Sequence, residues 1–260
     1  MGAVFRESGW GSELERIVIV PAAGLGDVPI DTLPLPSDPQ RSMSQRYLVT
    51  RTTSLGDLYR AMTSRAPSGL RIAFVPRAGR DAQGEARAVG RVGARVFVGP
   101  SATRAAFLKL ANGAELVHFG GHALAADMPG GAAMSFARAS LGDHVFRASD
   151  VAQLELEGAT VVLLGCDTGA GATGPLGAGT RSRSLAEAFV RAGGKGVAAS
   201  LWPIDDESAR EIASSLYSRR GELPTASSLS RAKATLRRKY PTEPYRWAGF
   251  VWYGPPGKPD

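Results

Sequence analysis

The sequence predicts an α/β protein with a mostly parallel central sheet and helices on both faces. Three observations predict it. Short apolar runs alternate with amphipathic stretches through most of the 260 residues, the pattern of successive strand–helix units. His122, Cys166 and Trp202 each lie just past the end of such a run, where functional residues of parallel sheets sit. Hydrophobic content of 43% with 21% charge is that of a globular protein able to bury a full core.

The elements follow in order. Arg16-Ile17-Val18-Ile19-Val20 reads as a buried strand stopped by Pro21. Residues 21–45, rich in Pro, Gly, Asp and Ser, read as a long irregular connection. Residues 47–50 form a second strand. Ser54 caps a helix over 54–64, with Leu55, Leu58, Tyr59 and Met62 at helical spacing. A strand over 70–75, a short helix over 85–92, a strand over 95–98 and a helix over 103–111 come next. The strand 114–119 carries His118. Residues 123–148 are weakly patterned, and Ser149-Asp150 caps a short helix. The strand 160–165 ends at Cys166. Residues 170–183, built of Gly, Ala, Thr and Arg, read as a mobile loop. Ser184 starts a helix with Leu185, Phe189 and Val190 inward, ended by Gly193-Gly194. A strand over 196–201, helices over 205–219 and 225–239, and a strand over 247–253 complete the chain.

Composition excludes several classes. No apolar run reaches the length of a membrane span, so no membrane association is expected. The N-terminus lacks a secretory pattern, and a single cysteine allows no internal disulfide. Both point to a reducing, cytoplasmic setting with a free thiol. The net charge of +7 comes from scattered arginines. The tight run Arg237-Arg238-Lys239 ends a helix, where cations complement the dipole. A solvated surface explains this charge better than nucleic-acid binding does.

The chemistry centres on Cys166. It follows Val161-Val162-Leu163-Leu164-Gly165 and opens onto Asp167-Thr168-Gly169. His122 follows Leu116-Val117-His118-Phe119-Gly120-Gly121, 44 positions upstream. Caspases place the histidine about 50 residues before the cysteine. Together they suggest a Cys-His dyad: an imidazole stabilises the thiolate and then protonates the leaving amine. Backbone N–H groups of Cys166 and of a residue just after His122 are candidate oxyanion donors. A buried structural cysteine is the competing reading.

Other motifs carry less. His118 and His122 at i, i+4 would chelate a metal on a helix, but the intervening Phe-Gly-Gly argues against one, so no metal and no cofactor are expected. Gly174-Pro175-Leu176-Gly177-Ala178-Gly179 lacks the Lys-Ser/Thr ending of a phosphate loop. Arg181 and Arg183 read as solubilising charges or as exposed cleavage points. His144 reads as a turn residue.

Five ordered blocks resemble the CHAT family, the caspase-HetF-associated-with-TPR peptidases related to caspases and separase. They are His118-Phe119-Gly120-Gly121-His122, residues 161–169, Ser184-Leu185-Ala186-Glu187-Ala188-Phe189, residues 196–206, and Trp247-Ala248-Gly249-Phe250-Val251. The resemblance is clearest over 114–254, and Ile17-Val18-Ile19-Val20-Pro21 is similar to the family's opening strand. It implies one caspase-like α/β sandwich over 1–260, with an N-terminal half over 1–112 and a catalytic half over 113–254. It implies a cysteine endopeptidase with Cys166 as nucleophile and His122 as its partner.

Where the family usually has Gly after the histidine, this chain has Ala123, whose amide joins that of Cys166 as oxyanion donor. By position, Ser200-Leu201-Trp202 would pair with an extended substrate, and Trp202 would either wall a side-chain pocket or serve as a core or lid aromatic. Asp206 fits the first turn of the next helix, while Asp167 and Asp205 are candidates for a pocket that takes a basic side chain. The implied partners are a protein substrate, such as a gasdermin-like or other neighbouring-gene product in bacterial defence, and a separate sensor or activator. A catalytically degenerate domain that binds a protein partner is the alternative.

Overall fold

The computed structural model describes residues 14–21, 25–65, 67, 69–124, 131–138, 144–166, 168–169 and 184–257. Among these, eight strands form one sheet: β1 (Arg16–Ile19), β2 (Leu48–Arg51), β3 (Arg71–Val75), β4 (Arg95–Val98), β5 (Leu116–Phe119), β9 (Thr160–Leu163), β10 (Gly196–Ser200) and β11 (Phe250–Tyr253). Their order is β1-β2-β11-β10-β9-β5-β3-β4. Every pair is parallel except β10 with β11. Strands from both halves of the chain therefore share one sheet, and β5, β9 and β10 lie side by side at its centre.

Alternation along the strands explains how both faces are covered. Phe74, Val117, Phe119, Val161, Leu163 and Val197 join one core cluster. Ala73, Leu116, Val162, Leu164, Ala198 and Trp252 join another. The first face receives α3 (Arg104–Ala111) and α4 (Leu185–Arg191). The second receives α2 (Arg80–Gly90), α5 (Asp206–Leu216) and α6 (Ala226–Lys239). Each of α3, α4, α5 and α6 starts on a Thr, Ser or Asp whose side chain accepts from the backbone N–H three residues on, which satisfies one of the first-turn donors.

Several boundaries differ from expectation. α2 begins at Arg80 rather than near 85, because Gly79 enters it at φ 95 without a side-chain cap. The stretch 123–148 holds a small antiparallel sheet of β6 (Ala123–Leu124), β7 (Ala133–Ser135) and β8 (Val145–Arg147). These strands are too short to show a period in sequence. Residues 21–45 contain two 3-10 turns, and Ile30, Leu35 and Met43 pack with Tyr47 in a third core cluster. Helix α1 (Leu55–Thr63) forms as expected, but it turns Asp57 and Ala61 inward and leaves Leu55, Tyr59 and Met62 on the surface. The expected loop over 170–183 lies outside the described residues.

Candidate active site

Register sets the geometry. In the parallel pair β5–β9, Phe119 lies opposite Leu163, and the Leu164 N–H donates to the Phe119 carbonyl at 2.8 Å. His122 and Cys166 each lie three residues beyond that matched pair. Adjacent strands run about 4.8 Å apart, so the two chain segments leave the sheet side by side. Contact continues past the ladder: a Cβ built on Gly165 would stand 2.7 Å from the Gly121 carbonyl oxygen and 3.3 Å from the Ala123 Cβ. Glycine at 165 is what allows this approach.

His122 is exposed and Cys166 is half-buried. The Cys166 Sγ lies 3.8 Å from the Ile204 carbonyl oxygen, within reach of a weak S–H donor bond. Ile204 belongs to the segment between β10 and α5. The thiol thus faces that segment, while the backbone of the preceding Gly165 lies against the histidine loop. Ala123 opens β6, and the His122 carbonyl accepts from the Ser135 N–H at 2.9 Å, which ties the histidine to the small sheet. Asp167 lies outside the described residues.

Ser200, Leu201 and Trp202 occupy distinct environments. Ser200 is fully buried. Its N–H donates to the Thr168 hydroxyl, its carbonyl accepts from the Gly169 N–H, and its hydroxyl donates to the Gly165 carbonyl at 2.7 Å. Ser200 therefore braces the cysteine loop from within, and its backbone is already paired. The Leu201 N–H is likewise taken by the Gly249 carbonyl. Trp202 is half-buried, its indole N–H donating to the Tyr245 carbonyl at 2.8 Å and its ring resting on Gly249.

Asp205 is the N-cap of α5, accepting from the backbone N–H and the hydroxyl of Ser208, both at 2.8 Å. Burial alone would raise its carboxyl. The Ser208 bonds and the nearby Arg246 outweigh burial and hold it below the usual carboxylate range. Asp206 stands in the first turn of α5, as the helix reading expects, and pairs with Arg77.

His118 is a residue of β5. Its ring is fully buried, with Nε2 2.8 Å from Glu85 and Nδ1 2.9 Å from the Tyr217 hydroxyl. Both nitrogens are thereby used. Glu85 also pairs with Arg77, whose Nε donates to the Gly120 carbonyl at 2.8 Å. Sequence reasoning missed Arg77, Glu85 and Tyr217. The available signal was that Arg77 also follows a strand end, two residues past β3.

A model of the CHAT domain matches residues 7–255. The chain belongs to the CHAT family. Among solved structures, the complex of the RgpB pro- and mature domains from Porphyromonas gingivalis is similar at 14% identity and TM-score 0.63, over 96% of this chain and 66% of that one. The Arg-specific cysteine proteinase gingipain R is similar at 15% identity and TM-score 0.53, over 81% of this chain and 55% of that one. The Saccharomyces cerevisiae separase in its complex with securin is similar at 15% identity and TM-score 0.55, over 82% of this chain but 14% of that one. A search of curated proteins gives no match. This CHAT chain thus has the fold of the caspase-like clan CD cysteine proteases, and it spans under two thirds of the length of each of these relatives. Among the described residues, no helix is long and apolar enough to cross a membrane.

Proposed function

We propose that this CHAT domain is a cysteine endopeptidase that works through Cys166 and His122. The single observation that carries the reading is the register of β5 and β9, which brings both residues past adjacent strand ends. His122 takes the thiol proton, and the Cys166 sulfur attacks the carbonyl carbon of the scissile peptide bond. The N–H groups of Cys166 and Ala123 hold the resulting oxyanion. The carbon–nitrogen bond then breaks as the imidazolium gives its proton to the leaving amine. Water, deprotonated by His122, hydrolyses the thioester and frees the acid and the thiol.

The substrate is an extended segment of a protein partner. With the backbone of Ser200 and the Leu201 N–H already bonded, the segment lies along the Leu201 carbonyl and Trp202, with the indole as a wall. Asp205 and Asp167 are the carboxylates available to favour a basic residue before the cut. The setting is cytoplasmic, in bacterial defence or regulated cell death, with a neighbouring-gene product as substrate and a separate activator.

The test is mass spectrometry of a proteome-derived peptide library incubated in reductant with wild-type protein or Cys166→Ala. Cleavages made only by the wild type are the expected result and read out the preferred residue. Identical digests, with a protein partner bound equally well by both, would replace the peptidase with a binding module.

A further inference from the structure

We infer that Arg77 is the positioning residue of the candidate site, a single buried guanidinium that joins the histidine arm to the cysteine arm. The inference rests on the Cys166–His122 reading and extends it to a residue that touches neither. Arg77 is 8% exposed and directs all three of its nitrogens to defined partners. Nε donates to the carbonyl of Gly120, two residues before His122. One terminal nitrogen pairs with Glu85 and the other with Asp206.

Each contact does separate work. The Gly120 N–H is already held by the Phe74 carbonyl at 2.9 Å. With its carbonyl held by Arg77, Gly120 is fixed on both sides, although two glycines in sequence would otherwise leave the backbone free to rotate. The Glu85 carboxylate occupies the space beside Gly120 so closely that a Cβ there would meet its oxygen at 2.0 Å. Glu85 is fully buried and is itself fixed by His118, which is fixed in turn by Tyr217 of the α5 C-cap. Asp206 opens α5, two residues after Ile204, whose carbonyl faces the Cys166 thiol.

A guanidinium offers donors in a planar fork, and this geometry uses that fork in three directions. A lysine ammonium keeps the charge but cannot hold all three partners in these directions. The bridge to Asp206 also has an exposed end, since that carboxylate side chain is 54% exposed. It can be cut without opening the core.

The experiment measures the rate of Cys166 alkylation by iodoacetamide across pH for wild type, His122→Ala, Asp206→Asn and Arg77→Lys, alongside thermal unfolding of each. In the wild type the His122 imidazole serves as base to the thiol as the sulfur attacks, which raises the rate at neutral pH. His122→Ala is expected to lose that acceleration at neutral pH and to lose less in alkaline solution, where free base takes the proton instead. Asp206→Asn and Arg77→Lys are expected to change the profile the same way, slowing alkylation at neutral pH roughly tenfold to a hundredfold, as a displaced reacting group does. Asp206→Asn should do so while unfolding at the wild-type temperature. If His122→Ala shifts the profile and neither other variant does, Arg77 is merely structural and the inference falls alone. If His122→Ala leaves the profile unchanged, the dyad fails and the inference falls with it.

Discussion

Gly165 and Ser200 show how closely the site is packed at the level of single atoms. Gly165 stands between the Gly121 carbonyl, the Ala123 methyl and the Thr168 methyl. Gly165→Ala would put a carbon 2.7 Å from that carbonyl oxygen, so backbone must move. The loss expected is about 1–3 kcal/mol in urea unfolding, with slower alkylation of Cys166 because the two loops part. Wild-type alkylation in a folded variant would mean that the loops are not held by this contact. Ser200→Ala removes the 2.7 Å bond to the Gly165 carbonyl and leaves that oxygen with the Thr168 hydroxyl at 3.4 Å. A buried acceptor so weakened lowers stability by about 1–2 kcal/mol, readable in the same titration. Sequence marked Gly165 as a place of close approach and Ser200 as a substrate contact. The second residue instead turns its bonds inward, which only the burial of β10 between two neighbours reveals.

Among the elements, α5 carries the clearest linkage between charge and structure. Asp205→Ala should lower stability at neutral pH by about 1 kcal/mol, the usual effect of losing an N-cap. The sign with pH follows from its depressed carboxyl: the folded state binds this proton less readily than the unfolded chain does. Its contribution is therefore complete above the ordinary value of 3.8 and is lost as pH falls through the lower folded value. Melting curves of wild type and Asp205→Ala should converge on acidification. A gap that persists below that range would show that the cap acts by packing rather than by charge. The start of this helix was legible to within a residue, whereas Asp205 was expected as a pocket residue and serves as the cap. Ser54 and Ser184 cap the helices expected to start at them, and Thr103 and Thr225 cap the helices expected over 103–111 and 225–239. What stayed hidden depends on distant partners. The spacing of Leu55, Tyr59 and Met62 indicated a helix but not which side it turns inward, and α1 buries Asp57 and Ala61 instead. The ion pair of Arg77 with Glu85 joins a loop to a helix whose true start lies behind a left-handed glycine, so no periodicity announces it.

At the scale of the whole molecule, one ion pair joins the irregular segment before β2 to α6 and β11. Lys233 of α6 is buried, and its ammonium donates to Asp31 and to the carbonyls of Ala248 and Phe250. It thereby links the 3-10 turn Ile30–Thr32, the last strand and α6. Lys233→Ala leaves a half-buried carboxylate and two carbonyls without that donor, and a loss of about 3 kcal/mol is expected in urea unfolding. Replacing both charges, as Lys233→Met with Asp31→Leu, should recover much of it, because the desolvation of the pair disappears with the pair. The pH dependence separates this from ordinary packing. Burial is the largest influence on Lys233 and lowers its ammonium below 10.5, against the opposing pull of Asp31. Between the lowered folded value and 10.5 the unfolded chain holds a proton that the folded protein has released, so stability rises with pH there. Wild type should gain on Lys233→Met as pH climbs through that window, because the variant has no such proton to lose. Comparing the two proteins cancels titrations they share, including that of buried Tyr253, which is pushed up to about 12 and acts in the opposite sense. A constant difference across the window would mean that Lys233 is as well solvated in the folded chain as in the unfolded one. The joint between the N-terminal segment and the sheet would then rest on the packing of Ile30, Leu35, Met43 and Tyr47 and on the bonds from Arg51 to the Gly26 and Val28 carbonyls and from Arg237 to Ser42.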